Sequence, residues 1–117
     1  DVHAASPTIG APNGANNVAS VTFVAGSVKT DRAMRLRITA GAGAIAASTD
    51  VVNITFASEW KDSAGVSIIP AIVGSQGLFA STTSSTGFTL QLQQSIGPGL
   101  TYEYSLIVSS GGSVAIT

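Results

Sequence analysis

Apolar and polar residues alternate along this chain with a period of two, and no stretch holds a helical spacing over three turns. A period of two places successive side chains on opposite faces of an extended strand, so it constrains the fold to β-structure with one buried and one open face per sheet. In 51–56, Val52, Ile54 and Phe56 share one face. In 88–93, Phe88, Leu90 and Leu92 face one way, with Thr89, Gln91 and Gln93 opposite. Leu36 and Ile38 pair in the same manner, and Tyr102, Tyr104, Leu106 and Val108 line a fourth segment. These ten inward residues from Leu36 to Tyr104, with Leu106 and Val108, are the expected core.

Further strands are expected over Val18–Val24, Ser67–Gly74, Leu78–Thr82 and Ser113–Ile116. Turn-forming clusters separate them at 12–14, 40–43, 62–65, 97–99 and 110–112. Short strands at that spacing predict an all-β fold, an antiparallel β-sandwich of about eight strands. Residues 1–17 are rich in Ala, Pro, Gly and Asn and carry no strand pattern. They are expected to form an extended N-terminal arm or linker, with the sandwich domain over 18–117. The chain opens at Asp1 rather than methionine, as a processed or excised segment would.

Its 117 residues fit a single domain with one core. There is no cysteine, which rules out a disulfide framework and a thiolate metal site. Charged residues are only 9% of the chain, against roughly 25% in an average domain. Low charge accompanies disorder when apolar residues are also scarce, but here 44% are apolar and the mean hydropathy is +0.41. A net charge of −1 supplies no field for nucleic acid or an anionic membrane. No run approaches the roughly 18 apolar residues of a membrane span, so no membrane insertion is expected. The outward strand positions carry Ser, Thr, Asn and Gln in place of Lys and Glu, and Ile107 stands among them. Such faces pack against identical neighbours without desolvating charge, so a homo-oligomer is expected.

Residues suited to catalysis are few. The single histidine, His3, lies in the arm, which leaves a Ser–His system without a base. Glu59 and Asp62 flank Trp60 in one loop and are the closest approach to paired carboxylates, yet acids three apart in a turn do not face each other across a cleft. No calcium-loop spacing or His/Asp metal cluster is present. No catalytic residue, metal ligand or cofactor is therefore expected.

The candidate ligand or subunit contacts are Trp60, Lys61, Arg32, Arg35 and Arg37. Lys29, Arg32, Arg35 and Arg37 fall within nine positions, and Arg35 and Arg37 share a strand face. Such a stripe suits a phosphate or an acidic sugar, and more often forms a solvated face or a subunit contact. Aromatic residues do not interleave with it, which argues against single-stranded nucleic acid. Trp60 beside Lys61 offers a stacking face for a sugar ring, although a lone tryptophan more often caps a core or fills an interface. Asn53-Ile54-Thr55 matches a glycosylation acceptor, but its mid-strand position marks it as accidental.

A series of short blocks extends over nearly the whole chain. They are Ala5-Ser6-Pro7-Thr8-Ile9-Gly10-Ala11, Val18-Ala19-Ser20-Val21-Thr22, Leu36 to Gly43, Val51 to Phe56, Ile69-Pro70-Ala71-Ile72-Val73, Ser84 to Leu90 and Gly99 to Val108. In this order they resemble the β-sandwich domain at the ends of bacteriophage tail-fibre, head-fibre and related virion proteins. The order of a Phe-ending strand, a Pro-containing strand and Thr-Gly-Phe is also similar to H-type lectins, without a sugar-binding motif to carry over. Val28–Arg32 replaces the Gly-Thr usual between the first two strands, and the loop after Pro70 is short. The resemblance implies a non-enzymatic virion structural protein, a homotrimeric fibre knob or a capsid decoration domain, on the surface of the particle. Its implied partners are further copies of itself, other virion proteins and a host surface glycan. The alternative it implies is a carbohydrate-binding, receptor-recognising module.

Overall fold

The computed structural model describes residues 4–72 and 77–110. Two four-stranded antiparallel sheets form a β-sandwich. The strands are β1 (Thr8–Ile9), β2 (Val18–Phe23), β3 (Ala33–Ala40), β4 (Asp50–Thr55), β5 (Ala64–Pro70), β6 (Leu78–Thr83), β7 (Gly87–Leu92) and β8 (Thr101–Ser110). One sheet has the order β1-β4-β7-β6, the other β2-β3-β8-β5. Only β2–β3 and β6–β7 join neighbours within a sheet, and every other connection crosses to the opposite sheet. The sandwich measures 45 × 27 × 22 Å.

The alternation read from the sequence is the alternation that packs. Leu36, Ile38, Val52, Ile54, Phe56, Phe88, Leu90, Leu92, Tyr104, Leu106 and Val108 are buried between the sheets, and Tyr102 packs half-buried against them. Phe56 sits 6.1 Å from Trp60 in a T-shaped arrangement and 5.6 Å from Phe88, centroid to centroid. Such pairs add to the burial of the rings themselves. Gly87 is required by the backbone: a Cβ there would lie 2.2 Å from the Ile54 carbonyl oxygen across the β4–β7 ladder.

Three local expectations change. Val51 is buried beside Val52, because the β4–β7 register shifts between Asp50 and Val52 and the extra residue turns inward. The strand expected over 67–74 runs instead from Ala64 to Pro70. Ala64 and Gly65, read as part of a turn, pair with Ser110 and Ser109. Pro70 closes a strand at the sheet edge, where its missing N–H is tolerated.

The first segment also differs from a free arm. Over residues 4–17 it lies along the sandwich, Thr8 and Ile9 pair with Thr55 and Ile54, and Pro7 is buried. A two-residue strand is too short for its alternation to stand out, and its turn at Gly14–Asn16 is a single 3₁₀ turn. His3, the strand expected over Ser113–Ile116, positions 73–74 and the glycines at 111–112 lie outside the described residues.

Candidate functional site

Most of the charged side chains gather at one end of the sandwich, around the turn that joins β2 to β3. Thr30 closes this turn: its N–H donates to the Ala33 carbonyl at 2.8 Å, and its Oγ1 accepts from the Arg32 and Ala33 N–H groups at 3.2 Å each. The turn sends its two central side chains in opposite directions. Asp31 points inward and is 0% exposed, whereas Arg32 stays at the surface. Asp31 Oδ1 accepts from Ala57 N–H at 2.8 Å and Oδ2 from Ser58 N–H at 2.9 Å. Two successive backbone N–H groups make a concave donor pair suited to a carboxylate, and hydrogen bonds to an ionised acceptor are the strong kind. Asp31 thereby anchors the β4–β5 loop to a turn 26 residues earlier in the chain.

That loop carries Trp60. Its backbone N–H donates to the Ser85 carbonyl at 2.8 Å, which fixes it against the β6–β7 turn. The indole is only 4% exposed and closes the apolar core at this end. The Arg32 guanidinium lies 5.4 Å from the ring centroid, within cation–π range. The fold thus brings together two candidate residues that the sequence reading keeps apart, and in a structural role: the indole offers no open face to a sugar. Lys61 follows at the surface, and Glu59 accepts from Ser85 Oγ at 3.0 Å.

Arg35 and Arg37 are elsewhere, on the outer face of β3, as their spacing predicted. Both meet Glu103 of β8. Arg37 approaches Oε2 with Nε at 3.0 Å and NH2 at 2.8 Å, and Arg35 NH2 lies 3.4 Å from Oε1. Arg37 stands directly opposite Glu103 in the β3–β8 register, and Arg35 opposite Ser105. The stripe is therefore partly neutralised, which reduces its pull on a phosphate or an acidic sugar. Lys29, the remaining member of the basic run, sits 5.8 Å from the Phe23 ring centroid.

The outer face of the other sheet is polar and nearly uncharged. Thr89 Oγ1 donates to Asn53 Oδ1 at 2.6 Å, and Gln91 Nε2 donates to Asp50 Oδ1 at 2.7 Å, each across the β4–β7 ladder. Asn53, the residue of the accidental sequon, is one rung of this ladder. On the outer face of the β2-β3-β8-β5 sheet, Ile69 and Ile107 are each 54% exposed, on the adjacent strands β5 and β8.

Sequence reading passed over Asp31 and Glu103. Both owe their roles to partners 26 or more residues away, and only the charged run 29–32 hinted that its turn was unusual. Among the described residues, no three or more His, Cys, Asp or Glu side chains gather as a metal site would require. No helix of the described residues is long and apolar enough to cross a membrane. No family model matches the chain, and neither does any curated protein or solved structure.

Proposed function

We propose that this chain is a non-enzymatic structural domain of a bacteriophage particle that assembles as a homotrimer, as a fibre knob or a capsid decoration domain. The observation that carries the reading is the make-up of its two outer faces. Strands β1, β4, β6 and β7 hold a single charged residue, Asp50, which is bonded to Gln91. The charges in the strands of the other sheet, Arg35, Arg37 and Glu103, are grouped with one another beside the exposed Ile69 and Ile107. Faces this poor in charge pack on a copy of themselves with little charge to desolvate, since the two arginines share one carboxylate and Asp50 is hydrogen-bonded. Three-fold symmetry and a place on the virion follow from the resemblance to fibre domains.

Four of the six acids support the non-enzymatic part. Asp31 holds a loop, Glu103 holds two arginines, and Asp50 and Glu59 are bonded to Gln91 and Ser85. Each described bond fastens one piece of scaffold to another. The rival reading, a glycan-binding module, relied on Trp60 as a stacking platform, and the buried indole removes that support.

Native mass spectrometry of the domain at micromolar concentration tests the proposal. A mass three times the chain's 11.6 kDa is expected. A stable monomer overturns the self-assembly on which the reading depends.

A further inference from the structure

The N-terminal segment is held to its own sandwich by contacts that a second copy of the chain presents equally. Thr8 and Ile9 pair with Thr55 and Ile54 along the edge of β4. Gly10 N–H donates to the Asn53 carbonyl at 2.8 Å and Asn13 N–H to the Val51 carbonyl at 3.0 Å. The Ala5 carbonyl accepts from Asp31 N–H at 3.1 Å, and Ser6 Oγ donates to the Lys29 carbonyl at 3.0 Å. Pro7 is buried and Ile9 packs partly on the core, so the segment carries apolar anchors as well as backbone bonds. None of residues 4–13 is charged.

Only the turn 14–17 separates this segment from β2, and Asn17 in it is left-handed, with φ 67° and ψ 23°. A residue with a Cβ in that region is strained, although Asn tolerates it better than most, and short strained hinges favour exchange of the element they carry. Beneath the segment, the β4 edge from Val51 to Thr55 holds neither a charge nor a proline. Those are among the features that guard an edge strand against pairing with another chain.

We infer that residues 4–13 exchange between copies, so that the arm of one chain lies on the β4 edge of the next. The bonds of residues 5–13 to β4 and to the 29–31 turn form in either arrangement. Opening the hinge relaxes Asn17 while giving up the turn's own bonds, from Asn16 and Val18 N–H to the Asn13 carbonyl and from Asn17 N–H to the Gly14 carbonyl. Four extended residues span at most about 14 Å. That is far short of the 45 Å long axis, so the receiving copy packs beside the donor along the β1 edge and not end to end. This inference rests on the self-assembly proposed above and specifies which segment links the copies.

The absence of native cysteine makes the exchange directly testable. Thr8 and Thr55 are exposed, and as direct antiparallel partners their Cα atoms lie within the separation a disulfide bridges. The single variants T8C and T55C are co-expressed, oxidised and run on a non-reducing denaturing gel, alongside the double variant T8C/T55C. Exchange predicts a covalent heterodimer from the mixture, with peptide mass spectrometry placing the bond between positions 8 and 55, and covalently linked oligomers from the double variant. A double variant that closes within single chains, with no heterodimer in the mixture, overturns the inference. The native mass then separates the two ideas: an oligomer without cross-links removes exchange alone, and a monomer removes self-assembly with it.

Discussion

The two ends of the sandwich close by opposite chemistry. At the end formed by residues 29–32, 57–63 and 84–86, the closure is polar: a buried carboxylate on two backbone N–H groups, with an indole beneath an arginine. At the other end, formed by 41–48 and 93–100, no residue is charged. There Ile45 and Ile96 exchange both backbone hydrogen bonds, at 2.9 and 3.0 Å, and are each 0% exposed. The problem is the same at both ends. Where strands cross between sheets, their backbone groups lose ladder partners and must find others. One end finds them in a side chain, and the other in an isolated bridge plugged by two isoleucines. The contrast teaches that the polar closure depends on atom type and the apolar one on volume.

The largest effect is expected where the polar end meets the core. Trp60→Ala removes a buried ring that touches Phe56 and should cost about 3–5 kcal/mol. Urea unfolding followed by circular dichroism measures it, and a loss below about 1 kcal/mol would mean that the indole does not close the core. At the apolar end, Ile45→Ala or Ile96→Ala should cost about 2–5 kcal/mol, while Ile45→Val should cost only about 0.5–1.5 kcal/mol. That grading with volume is the signature of a plug.

The sharper comparison uses a change that keeps shape. Asp31→Asn preserves volume but turns one acceptor oxygen into a donor aimed at a buried N–H, and should cost about 1–3 kcal/mol. It should therefore exceed Ile45→Val, although it alters less of the side chain's shape. If chemical denaturation ranked the two in the reverse order, the distinction between atom type and volume would fail.

What the sequence disclosed follows the same division. Alternation named Leu36, Ile38, Val52, Ile54, Phe56, Phe88, Leu90 and Leu92 as core, because a period of two is a local property of one strand. It missed Val51, whose burial depends on a register shift against β7, and the start of β5, whose small residues pair with the end of β8. Within the candidate site, the shared face of Arg35 and Arg37 was legible for the same local reason. Their common partner Glu103 was not, because it is 66 positions from Arg37 and enters only through the β3–β8 register. Trp60 was legible as a residue with two opposed roles. The loop that carries it is held by Asp31, and no local pattern records where a turn will send an aspartate.

The smallest expected effect tests whether Arg32 belongs to the polar closure or merely lies over it. Its side chain is exposed, so removal should cost little, about 0.5–1 kcal/mol for the cation–π contact in Arg32→Ala. Stability alone resolves such a difference poorly, but the chain has one tryptophan, and its fluorescence reports on this place only. Loss of the guanidinium uncovers part of the indole, so Arg32→Ala should raise quenching by acrylamide and shift the emission to the red. Arg32→Lys keeps a cation but not the planar group that stacks on a ring, and should fall between the two. Unchanged quenching in Arg32→Ala would show that the β4–β5 loop alone buries the ring. The polar closure would then consist of Asp31 and its two N–H donors, with the arginine contributing nothing to it.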